Sequence, residues 1–379
     1  MLQLVSRLDN SLAARVAIDT AIAVKNGGGR ALVASGGGPH THELQRDGIR
    51  HIAFPVANDA DFEKWSAVRR LRKLLRVENV SIVHTRTLPA TIAARRAALG
   101  RPIRVVSSFF EPVEPLSYFK RRKLKQLTRA DRVVSPSSIT TAYLRTEFKL
   151  DPSRIAQVPP GVNVNRFGPA AVRAERIIKL AQQWRVPDDR RIVLVPTPLE
   201  INRGHKVVIE AMSKIDHNDV YCLIVGARPE AQARREELEK LIAKKNLGGF
   251  VYIVDHCTDM AAAYMLADAV VVADRVPRAF SRVVVEAQAM GRPVIASSAG
   301  GIAEPLKPNE TGWVVPVGDA DALAKALREV LALDTTQRSL LADAAIKHAR
   351  ENFALETVGE QTLALYDSLL ETLWAEQRT

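Results

Sequence analysis

The chain has 379 residues, 47% of them hydrophobic and 5% aromatic, a length that suggests two domains and apolar content enough for two cores. Two cysteines argue against a disulfide framework or a thiolate metal cluster, and no apolar run reaches the roughly 18 residues that span a bilayer. The excess of 54 Lys and Arg over 42 Asp and Glu, a net charge of +12, favours anionic partners; with few aromatics and no nucleic-acid motif, nucleic acid is set aside.

Leu2–Ser6 reads as a short apolar strand, followed at once by Arg7 and Asp9 rather than by a secretory signal, so a cytoplasmic location is expected. Leu12–Asn26 has helical spacing, with Ala13, Val16, Ala17, Thr20 and Val24 on one side, and Gly27–Gly29 closes it. Arg30–Ser35 is the next strand, His42–Asp47 a helix, and Ile49–Phe54 a third strand. Between them, Gly36–Gly38 reads as a strand-to-helix turn in preference to a phosphate loop. Strands continue at Ser81–His84, Val105–Ser108, Arg132–Ser135 and Ile155–Val158, an alternation that implies a parallel sheet with right-handed crossovers.

Two helices in this half are strongly basic. Trp65–Arg76 carries Arg69, Arg70, Arg72, Lys73 and Arg76, and Phe119–Arg129 carries Lys120, Arg121, Arg122, Lys123, Lys125 and Arg129, each interleaved with apolar residues. Two readings stand: peripheral contact with anionic headgroups at the inner face of the plasma membrane, or ordinary solvated faces. The second half repeats the rhythm, with strands at Ile192–Pro196, Val220–Val225, Val251–Val254 and Ala269–Ala273, and helices at His205–Ile215, Ala231–Lys245 and Met260–Ala267. Helices at Ala320–Leu333, Thr335–Phe353 and Glu356–Glu376 complete the chain.

The stretch from Arg278 to Glu304 carries the candidate ligand site. It predicts a helix from Phe280 to Met290, a stop at Gly291, a buried strand Pro293–Ser297, and glycines in Ala299–Glu304 where another helix could begin. The backbone N–H groups of Phe280, Ser281 and Arg282 would sit at a helix N-terminus, suited to a phosphate.

These residues resemble the donor-binding signature of the retaining, nucleotide-sugar-dependent glycosyltransferases called group 1 or family 4, which reads Glu-Ala-Phe-Gly-x-x-x-x-Glu. Glu286 keeps the second glutamate; Arg278 replaces the first and Ser281 the glycine. Val158–Pro169 is similar to the family's linker signature, and Glu310–Asp319 to its scaffold. The resemblance implies an α/β protein of GT-B fold, two facing Rossmann-like domains with parallel sheets and a C-terminal crossover helix. The expected divisions are 1–170 on the acceptor side, 171–355 on the nucleotide-sugar side, and 356–379 packing back on the first domain.

It also implies roles for single positions. The family's Gly-Gly turn after the first strand corresponds to Asp9-Asn10-Ser11-Leu12, and its histidine near the scissile bond to Phe110, which cannot hydrogen-bond a hydroxyl. Glu111 or Glu114 is either a new carboxylate there or a solvated loop charge. The Arg and Lys that clamp the donor diphosphate correspond to Pro198 and Arg203, so one cation is lost. Glu286 reads as a ribose-binding carboxylate or a buried structural one, and Arg278 as a phosphate ligand or a solvent-facing side chain. The nucleotide-binding set is therefore Arg203, Arg278, Phe280, Ser281, Arg282 and Glu286, with no metal and no cofactor beyond a nucleotide sugar. Substitution at Ser11, Leu12, Phe110, Pro198, Arg278 and Ser281 leaves two expectations, both within envelope or polysaccharide glycan metabolism. One is a pseudoenzyme that binds a nucleotide sugar, a glycan or a protein; the other is a divergent hexosyltransferase acting on a saccharide or lipid-linked acceptor.

Overall fold

Strands and helices alternate along the chain in a computed structural model that describes every residue except Asn10, Pro112, His217, Asn218, His256 and Thr379. The chain forms two units, Met1–Gly161 together with Leu355–Thr379, and Val162–Ala354. Val162 and Phe167 of the linker pack into the core of the second unit, so the division comes before residue 170. Asn10, in the loop matched to the Gly-Gly turn, lies outside the described residues.

The first unit runs β1 (Leu2–Leu4), α1 (Leu12–Asn26), β2 (Leu32–Ser35), α2 (Thr41–Arg46), β3 (Arg50–Ala53), α3 (Trp65–Val77) and β4 (Ile82–Thr85). It continues through α4 (Leu88–Ala98), β5 (Arg104–Ser108), α5 (Tyr118–Leu124), β6 (Arg132–Ser135), α6 (Ser138–Phe148) and β7 (Ile155–Gln157). All seven strands pair in parallel, in the order β3-β2-β1-β4-β5-β6-β7. Helix α1 covers one face of this sheet, and α3 and α4 cover the other.

The second unit runs α7 (Ala174–Trp184), β8 (Arg191–Val195), α8 (His205–Met212), β9 (Val220–Ala227), α9 (Gln232–Lys244), β10 (Val251–Asp255), α10 (Met260–Leu266) and β11 (Ala269–Val272). Then follow α11 (Arg282–Ala289), β12 (Val294–Ser297), β13 (Trp313–Val315), α12 (Ala320–Ala332) and α13 (Thr335–Phe353). Its six parallel strands are ordered β10-β9-β8-β11-β12-β13. The last helix, α14 (Leu355–Arg378), belongs to the first unit, where Leu365, Tyr366 and Leu369 join Ile18 and Ala21 of α1 in one cluster. Gly359 permits this approach, because a Cβ there would lie 2.9 Å from that of Ala23.

Both sheets are covered on both faces, which explains the near-continuous apolar strands such as Ile192–Val195 and Ala269–Val272. Several helices escape a reading by periodicity. Helix α4 has seven of its eleven residues buried and is rich in alanine, so it shows no polar stripe. The basic segment predicted as one helix over Phe119–Arg129 is two pieces, α5 and a 3₁₀ turn at Leu127–Arg129. Leu124 and Leu127 both reach the cluster around Phe109 and Phe148, and a three-residue spacing suits the tighter turn. No described helix is long and apolar enough to cross a membrane. Cys222 and Cys257 are buried free thiols, and no metal-holding cluster of His, Cys, Asp or Glu occurs among the described residues.

Candidate functional site

In each sheet the strand order reverses once, and in open parallel sheets the gap outside the strand C-termini at that reversal is where ligands bind. The reversal lies between β8 and β11 in the second unit and between β1 and β4 in the first.

In the second unit, the loop after β8 carries Glu200 and Arg203, and the loop after β11 carries Asp274 and Arg278. Arg203 Nη1 donates to Asp274 Oδ1 at 3.2 Å, and Arg278 Nε donates to the same oxygen at 2.9 Å. Glu200 Oε2 lies 2.9 Å from Arg203 Nε and 3.4 Å from Arg278 Nη2. Two guanidiniums are thus held side by side by a carboxylate with only 2% side-chain exposure, while the second carboxylate, Glu200, is 58% exposed. Asp274 is fixed by burial, whereas Glu200 lies largely in solvent.

Glycines make this arrangement possible. Gly204 has φ +72°, and a Cβ there would lie 1.8 Å from the Ala273 carbonyl oxygen, so only glycine lets Arg203 come alongside Asp274. The amide of Arg275 donating to Asn202 O at 2.8 Å ties the same two loops. Gly300 and Gly301 do not open a helix as the sequence predicts. They form a turn pinned to Arg278, with Gly301 N donating to Arg278 O at 2.7 Å and a Gly300 Cβ that would lie 2.7 Å from that oxygen. The Arg278 backbone and Nε are thus both held, while its side chain remains 34% exposed.

Helix α11 begins at Arg282, two residues later than predicted, because Phe280 turns into the core against Phe353 and Ser281 serves as the N-cap. The Ser281 hydroxyl accepts from Val284 N at 3.5 Å, leaving the amides of Arg282 and Val283 without an intrahelical acceptor. Phe280 thus contributes packing. Glu286 is half-buried, accepting from the hydroxyl of buried Tyr264 at 3.1 Å and lying 3.4 Å from Arg282 Nη2. Burial, then the neighbouring Glu286, hold the Tyr264 phenol well above its ordinary range, so it stays a donor. Pro198 is half-buried, with its Cα 3.2 Å from where a Cβ of Gly226 would be. Beside it His205 is buried, its Nε2 3.1 Å from Thr197 Oγ1, and burial lowers its pKa to about 4.

In the first unit the corresponding gap is bordered by a buried polar network and by the start of α1. Ser11 caps α1 through Ala14 N at 3.3 Å and Leu12 is its first residue. The preceding loop lies on the Gly36–Gly38 turn: Leu8 N donates to Gly37 O at 3.0 Å, and a Cβ on Gly38 would lie 2.3 Å from Leu8 O. The glycines serve backbone contact. Arg86, just beyond β4, is buried and donates to Gln3 Oε1 and Thr20 Oγ1, both at 2.9 Å, and to Ser108 Oγ and His84 Nε2. His84 Nδ1 lies 2.5 Å from the Tyr366 hydroxyl, and burial followed by the Arg86 charge keeps this histidine far below its usual pKa. Sequence reading missed this network and Asp274; alternation alone hides a polar residue within or beside a buried strand.

Phe110 is half-buried beyond β5, next to the core residue Phe109. Glu114 accepts from Lys120 Nζ at 2.5 Å, while burial raises the pKa of Glu111, which Lys120 offsets and Asp59 reinforces.

Residues 13–166 match the family model Glycosyltransferase Family 4, and residues 177–351 match the model Glycosyl transferases group 1. The chain is 28% identical over 257 residues to a D-inositol 3-phosphate glycosyltransferase of Streptomyces avermitilis, covering 66% of this chain and only about half (54%) of that relative. It superposes on a glycosyltransferase from Rickettsia africae with a TM-score of 0.88 at 28% identity, covering 97% of this chain and 98% of the other. It also shares a fold with Anabaena Alr3699/HepE, solved in complex with UDP-glucose, at a TM-score of 0.83 and 21% identity over 97% of this chain and 99% of that one. The chain belongs to the group 1 and family 4 glycosyltransferases of GT-B fold.

Proposed function

We propose that the second unit binds a nucleoside diphosphate sugar, with Arg203 and Arg278 as the diphosphate clamp, and that the chain is a divergent retaining glycosyltransferase. One observation carries this reading: both guanidiniums rest on Asp274. The cation missing at Pro198 is thereby resupplied from Arg278, so two of the substituted positions become one exchange rather than two losses. Paired, preorganised guanidiniums, with one of their charges offset by Asp274, offer a diphosphate one net positive charge and fixed N–H donors that stabilise it as a leaving group without a metal. The amides at the start of α11 and the Glu286 carboxylate supply further contacts, to phosphate and to ribose hydroxyls.

Phe110 favours a second reading, a nucleotide-sugar binder without transfer, since a phenyl ring offers no hydrogen bond to a donor sugar. Calorimetric titration with UDP-, GDP- and ADP-sugars, combined with an assay for nucleoside diphosphate release, separates the two. Release with turnover is expected; saturable binding with no release leaves the binder, and no binding at millimolar donor removes both.

The acceptor side is proposed to meet an anionic membrane surface. Arg69, Arg72, Lys73, Arg76 and Arg101 line a groove of about 300 Å³ with no carboxylate in its lining, and Trp65 and Phe119 are 70% and 80% exposed. Flotation with vesicles should depend on anionic lipid; equal recovery with neutral lipid would remove the membrane proposal.

A further inference from the structure

At the edge of the first unit's sheet opposite the strand C-termini, arginines gather where their strands begin. Arg104 opens β5, Arg132 opens β6, and Arg154 immediately precedes β7. With Arg129 they line a cavity of about 280 Å³ whose acidic members are Asp131 and Glu376. Four guanidiniums against two carboxylates leave the cavity cationic. Arg95 adds to the excess: burial, then the Arg129 charge, pull it below the ordinary arginine range. Clustering like charges at partial burial is costly unless an anion offsets it.

The carboxylates are not equivalent. Asp131 is committed to the backbone, accepting from Val105 N at 2.7 Å, and its other oxygen is 3.9 Å from Arg104 Nη1. Glu376, in the last turns of α14 and 59% exposed, places Oε2 2.6 Å from Arg104 Nη2. The Arg104 side chain is only 17% exposed, and its Nε is buried with no hydrogen-bond partner among the described residues. A half-buried guanidinium with a spare donor is thus neutralised by an exposed carboxylate near the end of a helix.

We propose that this cavity is an anion site for a soluble phosphate compound, in which Glu376 stands in for a phosphate oxygen until the ligand displaces it. Its volume admits a diphosphate group, and Arg104 and Arg129 contact the oxyanion. The strands separate it from the β1 and β4 C-termini by about 13–17 Å for four or five residues, so it is distinct from the crevice of its own sheet. Nothing in this inference depends on the donor clamp.

The test is calorimetric titration with inorganic pyrophosphate in an Arg203→Gln/Arg278→Gln background, which removes the clamp as a competitor. Saturable binding is expected, weakened about tenfold or more by Arg104→Gln and by the exposed Arg129→Gln. Glu376→Gln should tighten it several-fold, and hydrogen exchange in the last turns of α14 should rise when pyrophosphate binds. No saturation with either the background protein or its Glu376→Gln derivative would overturn the proposal, as would affinities unmoved by all three changes. Capture on phosphatidic-acid vesicles that pyrophosphate does not compete away would assign the arginines to a lipid headgroup and overturn it as well.

Discussion

The gap between β8 and β11 holds two half-buried guanidiniums beside an exposed carboxylate, whereas the gap between β1 and β4 is packed with Arg86, its neutral partners and the loop through Leu8. Both sheets reverse their strand order in the same way. Topology therefore creates a crevice twice, and the side chains decide its use. In the second unit the buried member is an acid, Asp274, and the cations around it reach toward solvent. In the first unit the buried member is the cation itself, spent on Gln3, Thr20, Ser108 and His84. A guanidinium saturated by neutral acceptors is a structural element; one shared between a buried and an exposed carboxylate is what the proposed diphosphate clamp requires.

The contrast is broken most severely at its buried members. Arg86→Leu leaves three or more buried acceptors without donors and is expected to lower the stability of the first unit by about 3 kcal/mol or more, with little effect on nucleotide affinity. Urea unfolding and donor titration on the same variant check both halves of that statement. Gly204→Ala should cost a comparable amount in the second unit, about 3 kcal/mol, and also abolish the clamp, since the Ala273 carbonyl leaves no room for a Cβ.

Acid should act on the second unit through His205. Its folded pKa of about 4 lies below the ordinary histidine value of 6.5, so the unfolded state binds the extra proton between those values. Stability from this group is complete above about pH 6.5 and falls as pH drops toward 4, by at most about 3–4 kcal/mol for a pKa lowered by about 2.5. His205→Gln should flatten that part of the profile in denaturant titrations at a series of pH values.

Smaller effects sharpen the clamp. Arg278→Gln is expected to weaken nucleoside diphosphate binding about tenfold to a hundredfold, corresponding to about 1.5–3 kcal/mol. Glu200→Gln should strengthen it only a few-fold, by less than about 1 kcal/mol, because the carboxylate it removes is exposed and screened. A loss on Glu200→Gln would mean that this carboxylate orients the arginines rather than yielding to the ligand.

Much of the architecture was legible in the residues. Apolar strands alternating with helices, and the linker around Val162 and Phe167, pointed to two parallel-sheet domains, because such strands are buried on both faces and lose their alternation. The site was legible only in part. Arg203 and Arg278 stood out only through the resemblance to the family's donor motifs, and their shared partner Asp274 sits 71 residues from Arg203, a pairing that only the sheet order discloses. For the same reason the sequence alone did not connect Pro198 with Arg278, the exchange on which the proposed clamp rests. Local signals failed where burial was complete: α4 shows no polar stripe, and Arg86 reads as an ordinary loop charge after β4.

The most direct measurement compares the affinities of the nucleoside diphosphate and the bare nucleoside for the wild-type chain, Arg203→Gln, Arg278→Gln and the double variant. If the two guanidiniums form one clamp, the preference for the diphosphate falls with each single change, nearly vanishes in the double variant, and the two effects are not additive, while nucleoside affinity stays level. A diphosphate preference that survives the double variant would contradict the assignment of Arg203 and Arg278.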